Sequence, residues 1–512
     1  MEESLPCRIA SLVHAHFEAL PARSKPIIRP DGTREWIPMS GIVVVKGENT
    51  PEEKLACVAV TSGAKCLPAS QIPTCKGLVL HDCHAEILAL RAFNYWLLSE
   101  CKSFLAGHQQ KTEDGGDSPS VYLRRRRQQQ QPHNPRPQLE LCPDLKIYMY
   151  CTCAPCGDAS MELCMASQDD ATPWEPNTHN TTPSPAPPDT EMLDGRGYFS
   201  RLGIVRRKPA RADAESTRSK SCSDKLALRQ VSSLLSYESS LIVAVTENAY
   251  LAGIVLPEEE ISRAACERAF SERGRMSGLV GEVWDADVVA AAGTSRCGDG
   301  YRFRPFRVFS IPTEQLESLW RYRKPRASDP VDERMKVKPG VVSGVWVAAA
   351  AAASSPSATS AFTGTLANNN NNNGVKSLPT LCGTKTGLYE TILNGVKQGN
   401  RASEPMARGA SALSRARLWG FLRDIAMSSH SPSCVSGERE EVVECDWDIL
   451  RRIVTAPTYW EFKKAPVDPA AETPTRKRAI RETKTALQGW VSNVGDESWG
   501  LDVLVDPPKK KR

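Results

Sequence analysis

The sequence predicts an α/β fold, built as one large domain with low-complexity insertions, and three observations carry that reading. Short β-branched apolar runs close on glycine, as buried strands do. Several of these runs lead into stretches with helical apolar spacing. The composition, 40% hydrophobic and 24% charged over 512 residues, suits a soluble globular chain with a sizeable core.

Taken in order, residues 1–40 read as a helical lead-in, followed by GIVVVKG (41–47) and LACVAVTSG (55–63) as an opening hairpin. GLVLHDC (77–83) is a further short apolar run. After it Ile87, Leu90, Ala92, Phe93 and Leu97 take the spacing of an amphipathic helix, so His84 and Glu86 fall where strand gives way to helix. KIYMYCTC (146–153) is the next strand candidate. Pro155 ahead of CGDASMELCM suits a helix entry, because proline lacks the amide hydrogen that a first turn leaves unpaired, and this puts Cys156 at a second junction. In SCSDKLALRQVSSLL (221–235) serine and aspartate precede a helical pattern, with Cys222 at its start.

The large domain runs over 41–505, with insertions near 107–140, 168–195 and 347–375 and a basic tail at 506–512. The insertions hold four arginines followed by glutamines from Arg124, a stretch rich in Thr, Pro, Asn and Asp, and an asparagine tract from Asn368 to Asn373. Such segments bury too little apolar surface to offset their ordering entropy. No internal repeat is evident.

A net charge of +5 permits a polyanionic partner without demanding one. The N-terminus carries acidic residues where a secretory signal carries positive charge, and the longest apolar run, Val345–Ala353, falls short of the roughly 20 residues a membrane span needs. An intracellular protein without a membrane partner is therefore expected, its 17 cysteines reduced and some free to bind metal. PPKKKR (507–512) reads equally as a nuclear import signal or a solvated tail, so nucleus and cytoplasm both stay open. No obligate protein partner is evident.

His84-Ala85-Glu86 is an H-x-E triplet and Pro155-Cys156 a P-C pair, two parts of the H-x-E…P-C-x-x-C pattern of zinc deaminases. The second cysteine of that pattern is absent, because Ala159 stands three after Cys156. A water-activating zinc site needs three protein ligands and one open position, and Cys222 is the best source of the third. A rival grouping of Cys151, Cys153, Cys156 and Cys164 is a candidate structural zinc site, ranked lower because Cys151 and Cys153 fall in a predicted strand. Cys66, Cys75 and Cys83 read as buried or incidental.

Together LHDCHAEILALR (80–91), YCTCAPCGDAS (150–160) and SCSDKLA (221–227) resemble the adenosine deaminases that act on RNA, and within them the branch that deaminates transfer RNA. The resemblance extends from GIVVVKG to the C-terminal GWVSNVGDESWGLDVL. It implies a three-layer α/β/α sandwich with a mixed central sheet and a helical C-terminal extension. It makes His84, Cys156 and Cys222 the zinc ligands and Glu86 the proton shuttle for attack of water on C6 of adenine. It further implies one enclosed inositol hexakisphosphate, held by Arg91, Lys225, Arg415, Tyr459, Lys463, Lys484 and Trp490. Leu90 and Leu228 stand where the family often has arginine, and Arg415 where it has lysine.

Relatives that edit duplex RNA carry RNA-binding modules upstream, and only about 40 residues precede the first strand candidate here, fewer than such a module needs. This favours a compact RNA, with adenosine 37 of alanine tRNA as the expected target, since a loop base is already partly unpaired. Arg124–Arg127, Arg206–Lys208 and Arg476–Arg478 are candidate phosphate contacts, with a solvated run as the alternative for the first. Two other functions compete: a cytidine or nucleoside deaminase, opposed by the SCSDK segment and the large C-terminal half, and a non-catalytic zinc-stabilised RNA-binding protein, opposed by the intact Glu86.

Overall fold

The computed structural model describes residues 3–108, 120–126, 137–166, 193–194, 201–208, 215–284, 300–326, 329–350, 387–429, 446–465 and 475–506. The opening hairpin forms as its β-branched runs require: β1 (Met39–Lys46) and β2 (Lys54–Ser62) pair antiparallel, with Val44 opposite Ala56. Gly47 and Asn49, at φ 62° and 63°, supply the left-handed backbone of the turn.

Six more strands complete a mixed sheet. They are β3 (Leu145–Cys151), β4 (Leu251–Pro257), β5 (Arg307–Ile311), β6 (Ser343–Val347), β7 (Leu388–Leu393) and β8 (Val396–Lys397), in the spatial order β5-β4-β3-β1-β2-β6-β7-β8. The β3–β4 and β4–β5 pairs are parallel and the remaining pairs antiparallel.

Alternation along the strands sends side chains to two different cores. Val43, Val45, Val60, Tyr148, Tyr150 and Trp346 pack with Ile9, Val13 and Phe17 of α1 (Leu5–Glu18) and with Leu316 of α4 (Thr313–Leu319). Ile42, Val44, Val58, Ile147, Met149, Val345 and Val347 face the opposite way, onto α2 (Ala85–His108) and α3 (Cys222–Ser232). Outside these lie the C-terminal helices α5 (Arg415–Ser428), α6 (Tyr459–Lys464) and α7 (Thr475–Ala486). The result is the three-layer α/β/α sandwich.

α2 differs from its expected amphipathic form. Leu88, Ala89, Ala92, Phe93, Trp96, Leu97 and Leu98 are all buried, because the sheet covers one side and the C-terminal helices the other. Its buried Asn94 is satisfied, donating to the carbonyls of Leu90 and Leu234 and accepting from Ser236 N.

Other expectations change in detail. Within 77–83 only the end is strand: Asp82–His84 pairs with Ala64–Cys66. The expected 107–140 insertion is partly folded, as Leu123–Arg125 and Leu139–Leu141 form a hairpin in which Arg124 Nε meets Glu140 Oε1 at 2.6 Å. Leu193–Asp194 pairs with Arg206–Arg207, and Val347 ends β6. The asparagine tract, all of 168–192 and the PPKKKR tail lie outside the described residues. Among the described residues no helix is long and apolar enough to cross a membrane.

Candidate metal and catalytic centre

Three loops deliver the three expected ligands. His84 ends the short strand before α2, and Glu86 lies in the first turn of that helix. Cys222 opens α3, whose N-cap Ser221 accepts from Asp224 N at 3.1 Å. Cys156 departs from expectation, because the helix after it starts only at Met161, behind a 3-10 turn over Asp158–Ser160. The delay comes from Gly157 at φ 102°, where a β-carbon would stand 2.1 Å from Ser221 Oγ. That close approach sets the Cys156 loop against the N-cap of α3.

Cys156 Sγ stands 3.8 Å and Cys222 Sγ 3.6 Å from His84 Nδ1, and all three ligand atoms lie within 4.8 Å of one another. A tetrahedral zinc with bonds of about 2.3 Å to sulfur and 2.0–2.1 Å to nitrogen sets its ligands roughly 3.5–3.8 Å apart, so the triad fits that ion. The hydrogen bond between the two sulfurs pulls Cys156 well below the ordinary thiol range, aided by Lys208 and His84, while burial pushes Cys222 up.

Glu86 is buried, and its Oε2 has no hydrogen-bond partner among the described residues. Burial raises its pKa, with Cys156 adding and His84 and Lys208 opposing. A carboxyl group that is proton-affine, has one oxygen free and lies beside the ligand triad is arranged to exchange protons rather than to bind metal.

Around the triad runs a buried chain of charge. Lys208 Nζ donates to Cys222 Sγ at 3.3 Å and to Asp82 Oδ2 at 2.9 Å, and Lys225 also donates to Asp82. Burial pushes Asp82 up, but the two ammonium groups outweigh it and hold it well below the usual carboxylate range. Lys208, one of the candidate phosphate contacts, sits beside the sulfur, and Arg206, from the same run, is fully buried.

Two other groupings of ligand atoms occur among the described residues, Cys66–Asp82–His84 and Cys75–His81–Asp496. The first has its carboxylate occupied by two lysines, and the second holds Arg415, which bonds both His81 and Asp496. Neither is suited to a cation. Cys151, Cys153 and Cys164 join no such grouping, and Cys151 accepts from Ser40 Oγ within the sheet.

Of the seven residues implied for the polyphosphate, Arg91, Arg415, Tyr459 and Lys463 gather between α2, α5 and α6. Arg91 donates to Leu413 O, Arg415 lies 5.6 Å over the Tyr459 ring, and Lys463 stacks 4.1 Å over Tyr237. Sequence reading missed two members of this group. Arg229 and Arg476 both donate to the single carbonyl of Leu235, at 3.0 Å each. Burial and the neighbouring Arg476 and Arg91 push Arg229 down to about 9; burial, with Arg476, Arg229 and Arg415, pushes Lys463 to about 7 against the pull of Glu238. No sequence spacing marks Arg229, which lies one position from the Leu228 set against the family pattern. Lys484 and Trp490 sit apart from this group, 5.6 Å from each other and beside Lys220, while Lys225 reaches Asp82 between the two sets.

The adenosine-deaminase (editase) domain family matches residues 59–283. Over 311 residues the chain is 36% identical to tRNA-specific adenosine deaminase 1 of Schizosaccharomyces pombe, covering 60% of this chain and 69% of that protein. It is 31% identical over 278 residues to the Saccharomyces cerevisiae protein of the same name, covering 53% and 64%. Likeness to the mouse double-stranded RNA-specific editase B2 is 32% over 121 residues, 24% of this chain and 14% of the editase.

Proposed function

The chain belongs to the adenosine-deaminase (editase) family, and we propose that it deaminates adenosine to inosine in tRNA, at position 37 beside the anticodon of alanine tRNA. What carries this reading is the convergence of His84, Cys156 and Cys222 beside Glu86, whose Oε2 has no hydrogen-bond partner among the described residues. The tRNA assignment draws on the names of the two fungal relatives, which match far more of the chain than the duplex editase does.

A zinc ion held by His84, Cys156 and Cys222 would supply Lewis-acid activation of water at its open fourth position. Glu86 does the proton work: it takes a proton from the attacking water and delivers it to the purine ring nitrogen, then takes the second proton from the new C6 hydroxyl and passes it to the amine, so that the C6–N bond breaks, ammonia leaves and the C6 carbonyl forms. Its raised pKa suits a group that must hold and release a proton near neutrality. Lys208, pinned by Asp82, donates to Cys222 Sγ and fixes that ligand's orientation and charge.

The crowded cations near α6 support a second ligand. Arg91, Arg229, Arg415, Lys463 and Arg476 face few acids, chiefly Glu238 and Asp496, and leaving buried charges unmatched costs several kcal/mol. Inositol hexakisphosphate is the proposed counterion, with Lys225, Tyr459, Lys484 and Trp490 as further contacts from the family resemblance.

The test is the purified protein on alanine tRNA, with cytidine, free adenosine and long duplex RNA as controls. Inosine at position 37, about one zinc per chain and phosphorus released on denaturation are expected. Activity on the duplex or free nucleosides with the tRNA untouched would sink the substrate assignment, and active protein free of phosphorus would sink the counterion.

A further inference from the structure

Each cysteine ligand is followed at the same interval by an acid: Cys156-Gly157-Asp158 and Cys222-Ser223-Asp224 share the form C-x-D. Both aspartates are fully buried, so their charges need partners inside the core. Those partners come from one short stretch of chain. Arg268, near the end of the helix Arg263–Phe270, donates through Nε to Asp158 Oδ1 at 3.0 Å and through Nη2 to Asp158 O at 2.9 Å. Arg275 Nη1 donates to Asp224 Oδ1 at 2.6 Å.

The two arginines are themselves tied together. Gly274 lets the chain fold back on the end of that helix, since a β-carbon there would stand 2.3 Å from Arg268 O and 2.5 Å from Glu267 O. The return sets Arg275 N on Arg268 O at 2.9 Å. Glu162 holds Arg268 at 2.6 and 3.0 Å, and Asp224 Oδ2 accepts from Ser221 Oγ at 2.6 Å, which extends the link to the residue before Cys222. A continuous path of bonds thus runs from one cysteine loop through Arg268 and Arg275 to the other. It adds to the direct bond between the loops, from Ser223 N to Cys156 O at 3.0 Å.

Arg275 is a poor choice for stability alone. Its side chain is 4% exposed, Asp224 is its one ion-pair partner among the described residues, and its Nε and Nη2 have no hydrogen-bond partner there. A buried guanidinium so incompletely satisfied loses more on leaving water than one ion pair returns. What it does accomplish is to fix Asp224, two residues from a ligand sulfur, while its neighbour fixes Asp158 beside the other. Zinc tolerates only a few tenths of an ångström in its ligand distances. We propose that Arg268 and Arg275 are positioning residues for the metal centre: an ionic brace that sets the two cysteine loops at zinc-binding separation before the ion arrives. The inference rests on the zinc-centre reading and adds the groups that preorganise it.

The experiment strips the full-length protein of metal, then measures zinc affinity by chelator competition and the ligand-field absorption of the cobalt(II)-substituted form. Arg275→Met and Arg268→Met are expected to bind zinc about 10- to 100-fold more weakly than wild type. Their cobalt forms should lose the intense tetrahedral bands for the weaker ones of higher coordination. Arg275→Lys, which keeps the charge, should recover most of the affinity. Ile9→Ala, destabilised on the opposite face of the sheet, should match wild type in both readouts. Wild-type affinity and spectrum in either methionine variant overturn the brace, even where urea shows that variant less stable, because the arginine would then be merely structural. Should the methionine variants fail to fold, hydrogen exchange on wild type decides. Residues 157–160 and 222–225 should keep their protection when zinc is removed, and losing it there while 263–275 stays protected overturns the brace. Wild type that binds neither zinc nor cobalt overturns the metal-centre reading and the brace with it, whereas unaffected variants of a metal-binding wild type overturn the brace alone.

Discussion

The two faces of the central sheet are equally buried and chemically opposite. On the α1 face, Val43, Val45, Val60, Ile9, Val13 and Phe17 close an apolar layer, and aromatic rings cluster where Phe17, Trp320 and Tyr322 meet edge to face. The polar exception there, His14, gives its Nε2 to the Tyr150 hydroxyl at 2.8 Å. On the α2 face the core encloses Asp82, Glu86, Asp158, Lys208, Asp224 and Glu238. Burying that much charge is expensive unless each group is paired, and most are, through Lys208–Asp82, Arg268–Asp158 and Arg275–Asp224. One face therefore serves cohesion, and the other carries a costly polar framework in which, among the described residues, Glu86 Oε2 and Asp158 Oδ2 are left unmatched.

The sharpest break in that contrast is Glu86→Gln. The amide keeps the shape but accepts no proton, so kcat should fall by about 10³ or more while zinc per chain, measured by atomic absorption, stays near wild type. Cys222→Ala should lose zinc and activity together. Retained activity in Glu86→Gln, or loss of its metal, would reverse the assigned roles.

Next comes stability, tested with one substitution on each face. Asp82→Asn leaves Lys208 buried without its counter-charge and should cost about 3 to 5 kcal/mol in urea unfolding, with reduced zinc retention. Ile9→Ala should cost about 2 to 4 kcal/mol by cavity formation, yet leave zinc content and kcat unchanged at low temperature. If Ile9→Ala impaired zinc binding as much as Asp82→Asn, the two faces would not be functionally separate.

The smallest effect sharpens the comparison through pH. Burial lowers the pKa of His14 from 6.5 to about 3, so the unfolded chain takes up a proton below about pH 6.5 that the folded one refuses. The stability tied to neutral His14 is thus present above pH 6.5 and lost as pH falls toward 3. Between pH 7 and pH 5 this amounts to about 2 kcal/mol, and His14→Gln should remove that increment from the difference in urea midpoints. Equal pH dependence in the two proteins would show that His14 does not set the acid sensitivity of this face. His16, lowered to about 4 by burial, acts in the same direction.

Local pattern determined a good deal about this protein. The β-branched runs of β1 and β2, the apolar run of β3, the helix after Glu86 and the serine cap before Cys222 depend on a few neighbouring residues, and these elements formed where they were read. The candidate metal ligands were legible as residue types near strand-to-helix junctions, the family motifs joined them, and the fold brings their side chains together. Local pattern placed Cys156 between strand and helix but set the helix start too early, because the closeness of Gly157 to Ser221 involves two segments 64 positions apart in sequence.

What tertiary structure alone decided is where the charges go. Arg206–Lys208 and Arg476–Arg478 look alike as basic runs, yet Lys208 ends beside a ligand sulfur, Arg476 turns into the core and Lys477 and Arg478 face out. Sequence records that a cation is present. Whether it meets water, a carboxylate or another cation depends on long-range packing, since Asp82 and Lys208 stand 126 residues apart and Arg415 finds Asp496 across 81. Backbone propensity acts over a few residues, whereas the cost of a buried charge is set by every group the fold brings within a few ångströms of it.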